Sequence, residues 1–129
     1  MNKLRKEIVS SAIGDKPAGH TSLVTRRYRF GTDFIGFRGH FPGYPILPAF
    51  VQILTAVTLI EEHDKCRLQL ETVEKAKFHI PIHPDIEIEV SCALQRARGK
   101  RVCDAHLTVA EGLASSFRLS FAEERGPRC

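Results

Sequence analysis

At 129 residues, 43% hydrophobic and 26% charged, the chain has the size and composition of one ordinary globular domain. A formal charge of +4 and an isoelectric point near 9.0 favour acidic partners. The basic residues are interleaved along strands without an aromatic-rich or zinc-finger pattern, so nucleic acid is not an expected partner.

The first residues are strongly charged and show no secretory or membrane-spanning run, so the chain reads as a cytoplasmic protein with no membrane span. Leu4, Ile8, Val9, Ala12 and Ile13 recur at helical spacing and predict a short amphipathic N-terminal helix. Residues 14–19 are rich in Gly and Pro and read as a loop. Residues 22–30 read as a strand with Val24, Tyr28 and Phe30 on one face, followed by a turn-rich connector over 31–37.

Residues 39–48 form the most constrained stretch of the chain. Pro42, Pro45 and Pro48 stand at every third position, and each fixes φ near −65° and holds the preceding residue extended. This loop is therefore stiff and cannot be helical. Pro48 suits the first position of a helix, where a missing N–H costs nothing. Beyond it, 49–60 is polar only at Gln52, Thr55 and Thr58, so a helix over about 49–62 is expected to be buried on nearly every side.

A strand is expected over 67–81, with Leu68, Leu70, Thr72, Ala76, Phe78 and Ile80 on one face and Gln69, Glu71, Lys75, Lys77 and His79 on the other. The next strand alternates most regularly, with Ile86, Ile88, Val90, Cys92 and Leu94 pointing one way. Turns at Arg98-Gly99 and Glu111-Gly112 separate two further strands. These carry Cys103, Ala105, Leu107 and Val109, then Phe117, Leu119 and Phe121, inward. The four cysteines, Cys66, Cys92, Cys103 and Cys129, lack metal-ligand spacing. They read as reduced, mostly buried residues, with no metal or cofactor expected.

The expected architecture is α+β: one domain over 1–129, with a curled antiparallel sheet around one buried central helix. Residues 1–19 supply an N-terminal helix and loop, and 123–129 a frayed tail. The sheet leaves an open edge that a second copy of the chain can cover.

The run Gly39-His40-Phe41-Pro42-Gly43, with Pro45 and Pro48, resembles the motif of the hot-dog-fold β-hydroxyacyl-acyl carrier protein dehydratases, the FabA/FabZ-like family. Phe34 to Phe37 resembles that family's aromatic lead-in, and Lys75-Ala76-Lys77-Phe78 with Pro81 and Pro84-Asp85 its strand after the helix. The resemblance implies reversible loss of water from a 3-hydroxyacyl thioester, giving a trans-2-enoyl thioester, in fatty acid or polyketide/polyene-type biosynthesis. It places the base at His40 and a backbone N–H donor to the thioester carbonyl at Ala49, where the family usually has glycine. It also implies an acyl carrier protein or CoA thioester as substrate and a homodimer, or a trimer of dimers. Phe41, Gly43, Tyr44, Pro48, Phe50 and Phe78 would line the acyl site. An imidazole on a proline-stiffened loop suits proton abstraction; the bland alternative is a histidine capped by backbone in a tight turn.

The family has Glu or Asp fourteen residues after this histidine, where this chain has Leu54, and Thr58 stands where Gln is common. Leucine cannot transfer a proton. Glu61 lies two turns on, roughly 10 Å away, and together with Glu62 reads as the solvated end of the helix. Gln52 and Thr55 could orient a water but are not acids. His79 and His83, flanking Pro81, are the remaining proton-transfer candidates, set against an exposed strand face and a loop. His20, His63 and His106 read as surface residues. Two other readings stand beside the dehydratase: a non-catalytic acyl-carrier or acyl-chain binding module, and a thioesterase, against which the lack of an acid near the helix start counts.

Overall fold

The computed structural model describes residues 2–19, 22–38 and 43–122. Helix α1 (Lys3–Ser10) begins at Asn2, whose side-chain oxygen accepts the Arg5 N–H at 2.8 Å. Strand β1 (Ala12–Gly19) follows at once. The reading of 14–19 as a loop is therefore corrected, as is the placing of Ala12 and Ile13 on the helix. An irregular register between Ile13 and Ala18 lets this Gly- and Pro-containing stretch pair with β2 (Leu23–Arg29). A 3₁₀ turn at Ile35–Phe37 is held to α1 by Glu7, whose carboxylate accepts the Ile35 N–H at 2.9 Å.

Helix α2 (Ala49–Asp64) is the centre of the molecule. It starts at Ala49 as expected, with Pro48 as its N-cap rather than its first helical residue. It runs through His63 and Asp64, two residues past the expected end, and stops at Lys65, whose φ of 59° is left-handed. Val51, Gln52 and every residue from Thr55 to Ile60 are buried, as expected for a helix apolar on most sides. It packs against α1, β1, β2 and β4.

Strands β3 (Leu70–Phe78), β4 (Glu87–Ala97), β5 (Lys100–Val109) and β6 (Gly112–Phe121) complete a six-stranded antiparallel sheet in the order β1-β2-β4-β5-β6-β3. Of the expected inward residues Ile86, just before β4, is exposed and Leu94 is half-buried, but most are buried: Val24, Tyr28 and Phe30; Ile88, Val90 and Cys92; Cys103, Ala105, Leu107 and Val109; Phe117, Leu119 and Phe121. Together with α2 they form one core cluster. Cys92 and Cys103 are free and buried. Cys66 is disulfide-bonded, which corrects the reading of four reduced cysteines.

Strand β3 departs from the expected alternation. Its register slips between Leu70 and Thr72 and again between Glu74 and Lys77, each slip inserting one residue against β6. A one-residue insertion exchanges the two faces beyond it. Leu70 and Val73 accordingly oppose the inward Phe121 and Leu119, while Thr72 and Glu74 oppose Ser120 and Arg118. The second bulge puts Lys75 at a φ of 54°. As one of the two edge strands of the sheet, with β1 at the other side, β3 leaves Leu70, Val73 and Phe78 exposed at 37%, 41% and 45%.

Candidate active site

His40 and Phe41, the proposed base and a proposed substrate contact, lie outside the described residues, as do Gly39 and Pro42. From Gly43 onward the chain is defined. Gly43 has φ +83°, a conformation that favours glycine, and turns the chain toward α2. Tyr44 is exposed, whereas Leu47 is buried.

Three hydrogen bonds fix the segment between them and the helix. The Leu47 N–H donates to the Ile82 carbonyl at 2.8 Å. Gln52 Nε2 donates to the Leu47 carbonyl at 3.0 Å, reaching back five residues from the first turns of α2. His83 Nδ1 donates to the Pro45 carbonyl at 3.1 Å; since a carbonyl only accepts, that nitrogen carries the hydrogen. The His83 ring also meets Tyr44 edge-on, with centroids 4.8 Å apart.

The segment delivers the chain to an uncapped helix start. No side chain caps α2, and none of the hydrogen bonds among the described residues uses the Ala49 N–H. Ala49 is exposed. A helix N-terminus carries partial positive charge, so this N–H can polarise an acyl carbonyl brought to it. The methyl of alanine leaves backbone donation intact.

Leu54 is half-buried and lines a cavity of about 360 Å³ between α2 and β3, together with Phe50, Ile53, Val57, Leu70 and Val73. Among the described residues that line it, Arg5 alone is charged and none is a carboxylate. The expected acyl-site residues thus separate into groups. Phe50 and Leu54 share this cavity, Tyr44 stands with His83, and Phe78 packs its ring 6.4 Å from Phe117. Pro48 is half-buried at the helix entry.

The carboxylates at the other end of α2 are not a solvated helix end, which corrects the sequence reading. Glu61 is largely buried, paired with Arg5, 3.6 Å from Arg67, and accepts the Leu68 N–H at 2.9 Å. Glu62 pairs with Arg26 at 2.8 Å. Both are held in ion pairs at this end of the helix. The polar residues inside α2 are satisfied as well. Thr55 donates to the Val51 carbonyl at 2.7 Å, Thr58 to the Thr55 carbonyl at 2.9 Å, and Ser115 to Gln52 Oε1 at 2.7 Å. These residues are buried and brace the helix.

The other described histidines lie elsewhere. His63 bonds Asp64 at 2.9 Å and is half-buried, while His79 and His106 are exposed. No group of three His, Cys, Asp or Glu residues able to hold a metal occurs among the described residues. Sequence reasoning missed Ser115, buried in an otherwise apolar inward row. It also missed the reach of Arg5 from α1 to the cavity, which no local pattern announces.

A curled antiparallel sheet around one buried helix, entered through Pro45 and Pro48 at a start that no side chain caps, defines the hot-dog fold. The chain belongs to the ApeI-like family, described as the ApeI dehydratase, which matches residues 17–116. It is 37% identical over 97 residues to the 3-hydroxyacyl-[acyl-carrier-protein] dehydratase FabZ of Alkaliphilus metalliredigens, covering 67% of this chain and 64% of that protein. The chain thus spans just under two thirds of that relative's length. A FabZ of Geotalea uraniireducens is 28% identical over 97 residues, covering 63% of this chain and 67% of that protein. Among solved structures, the dehydratase heterocomplex ApeI:P from Xenorhabdus doucetiae superposes with a TM-score of 0.70 at 19% identity, over 87% of this chain and 96% of that one. That likeness shows the fold. No helix among the described residues is long and apolar enough to cross a membrane.

Proposed function

We propose that this protein removes water reversibly from a 3-hydroxyacyl thioester to give the trans-2-enoyl thioester. The observation that carries this reading is the open Ala49 N–H at an uncapped helix start, reached directly from the proline-rich motif. In this reading the thioester carbonyl accepts from Ala49, which acidifies C2, and His40 takes the C2 proton. The acyl chain is bound by Tyr44, Pro48 and Phe50, with Phe41, Gly43 and Phe78 completing the site. The substrate is carried on acyl carrier protein or CoA, in fatty acid or polyketide/polyene-type synthesis in the cytoplasm. The basic balance of the chain suits an acidic carrier.

The assembly proposed is a homodimer, or a trimer of dimers, joined along β3. Its support is the uncovered apolar side of that edge strand, where Leu70 and Val73 form one wall of the cavity holding Leu54. One observation favours a second reading, an acyl-chain binding module without turnover: Leu54 sits in an apolar cavity that no carboxylate lines among the described residues. Incubation with 3-hydroxyacyl carrier protein, followed by mass spectrometry, separates the two. The enzyme reading expects loss of one water from the carried acyl group. Binding of short and long acyl chains with no water lost would overturn it.

A further inference from the structure

Expelling a 3-hydroxyl group as water requires a proton on the departing oxygen, and Leu54 cannot supply it. The glutamates of α2 and the described histidines can be taken one by one. Glu61 and Glu62 are engaged by arginines near the far end of α2, about 18 Å along the helix from Ala49 at 1.5 Å per residue. His63 is bonded to Asp64 there. His106 lies opposite Ser91 and Ser116 on the outer side of the sheet and is exposed. His79 is exposed just beyond the end of the edge strand.

His83 differs from all of these. It is half-buried against the segment that enters α2, beside the Ile82 carbonyl that receives the Leu47 N–H two residues before Ala49. Its Nδ1–H is committed to the Pro45 carbonyl at 3.1 Å, and its ring is seated edge-on against Tyr44. Nε2 makes no hydrogen bond among the described residues. One nitrogen anchored to a backbone carbonyl, with the other free, is the arrangement that aims an imidazole for proton transfer.

We infer that His83, through Nε2, is the proton donor to the leaving hydroxyl. This rests on the dehydratase reading and on His40 as the base. The base takes the C2 proton, and that C–H electron pair becomes the C2–C3 double bond. The C3–O bond breaks with its pair on oxygen, which takes the Nε2 proton of the imidazolium and departs as water. His83 is left neutral, still holding Nδ1–H on Pro45. The two imidazoles then reset by exchanging one proton each with solvent.

The test compares wild type, His83→Asn and His83→Ala on a 3-hydroxyacyl thioester and on its 3-chloroacyl analogue, whose chloride leaves without a proton. Asparagine can keep an N–H on the Pro45 carbonyl but cannot transfer a proton. His83→Asn is expected to lose roughly 100- to 10,000-fold in kcat on the hydroxyl substrate while staying within a few-fold of wild type on the chloride. Full hydroxyl turnover in His83→Asn would overturn the inference and leave His83 a clamp on the loop. Equal losses on both substrates would overturn it too, since a structural role does not distinguish leaving groups. Wild type inert on both would overturn the dehydratase reading itself, whereas active wild type with unaffected variants would remove this inference alone.

Discussion

Ser115 donates its hydroxyl hydrogen to Gln52 Oε1 at 2.7 Å, joining β6 to α2 inside the core, while Gln52 Nε2 holds the Leu47 carbonyl at 3.0 Å. Both residues are buried, so each hydrogen bond satisfies a group that water cannot reach. Through this pair the sheet, the helix and the segment that leads into the site form one connected unit. Ser115→Ala leaves the Gln52 oxygen buried and unpaired, at a cost of about 1–3 kcal/mol. Urea denaturation is expected to show that loss at an unchanged m-value.

Tyr28 presents the opposite case. Its ring is fully buried, but its hydroxyl has no hydrogen-bond partner among the described residues. Burial, and secondarily the Glu62 carboxylate, hold its ionisation above the usual phenol range. Tyr28→Phe keeps the stacking on Phe30, whose ring lies 6.0 Å away, and removes the orphan hydroxyl. The variant is expected to gain about 1 kcal/mol, read as a raised Tm.

Asp104 and Arg118 oppose one another on β5 and β6, bonded at 2.8 and 3.0 Å. The guanidinium hydrogen bonds hold the Asp104 carboxyl below its ordinary value, more than partial burial raises it. A carboxyl whose folded pKa is depressed adds stability that is complete above its unfolded value, near pH 4, and fades as pH falls through the folded value. Asp104→Asn is therefore expected to be less stable than wild type at neutral pH, with the difference narrowing below about pH 4. Thermal melts across pH 2–7 check this. A gap that widens toward acid would contradict it.

The edge strand carries the proposed assembly. Val73→Lys puts a charge on the apolar side of β3 between Leu70 and the helix cavity, at a residue already 41% exposed in the single chain. Folding should be little affected, while the dimer should dissociate. Sedimentation equilibrium is expected to give a dimer mass for wild type and a monomer mass for the variant. Dimeric Val73→Lys would move the interface away from β3.

Much of this fold is legible in the residues because its periodicities are strong. The alternation Ile88, Val90, Cys92 and the near-continuous apolar run of α2 each admit one placement, and both are buried as expected. The failures have local physical causes. β1 carries Gly14, Pro17 and Gly19, so its composition signals a loop, and pairing with β2 overrides that signal. On β3 two bulges each exchange the faces, which no two-residue pattern can foresee. At the site, the helix entry is readable from the prolines, whereas the replacement at Leu54 is readable only through the family resemblance. The engagement of Glu61 by Arg5, 56 residues away, and the Nδ1 anchor of His83, 38 residues from Pro45, depend on long-range packing. Lone glutamates and histidines do not reveal their partners in a sequence.

The proposed function has this chain turn over an acyl thioester with leucine at the position where the family resemblance implies an acid. Hydration of a trans-2-enoyl thioester, followed by loss of enoyl absorbance, tests it in wild type, His40→Ala and Leu54→Glu. The account predicts turnover by wild type, a fall of at least roughly 100-fold in His40→Ala, and no gain from Leu54→Glu. An inert wild type that becomes active in Leu54→Glu would contradict it, and would make the protein a binding module whose scaffold has outlived its chemistry.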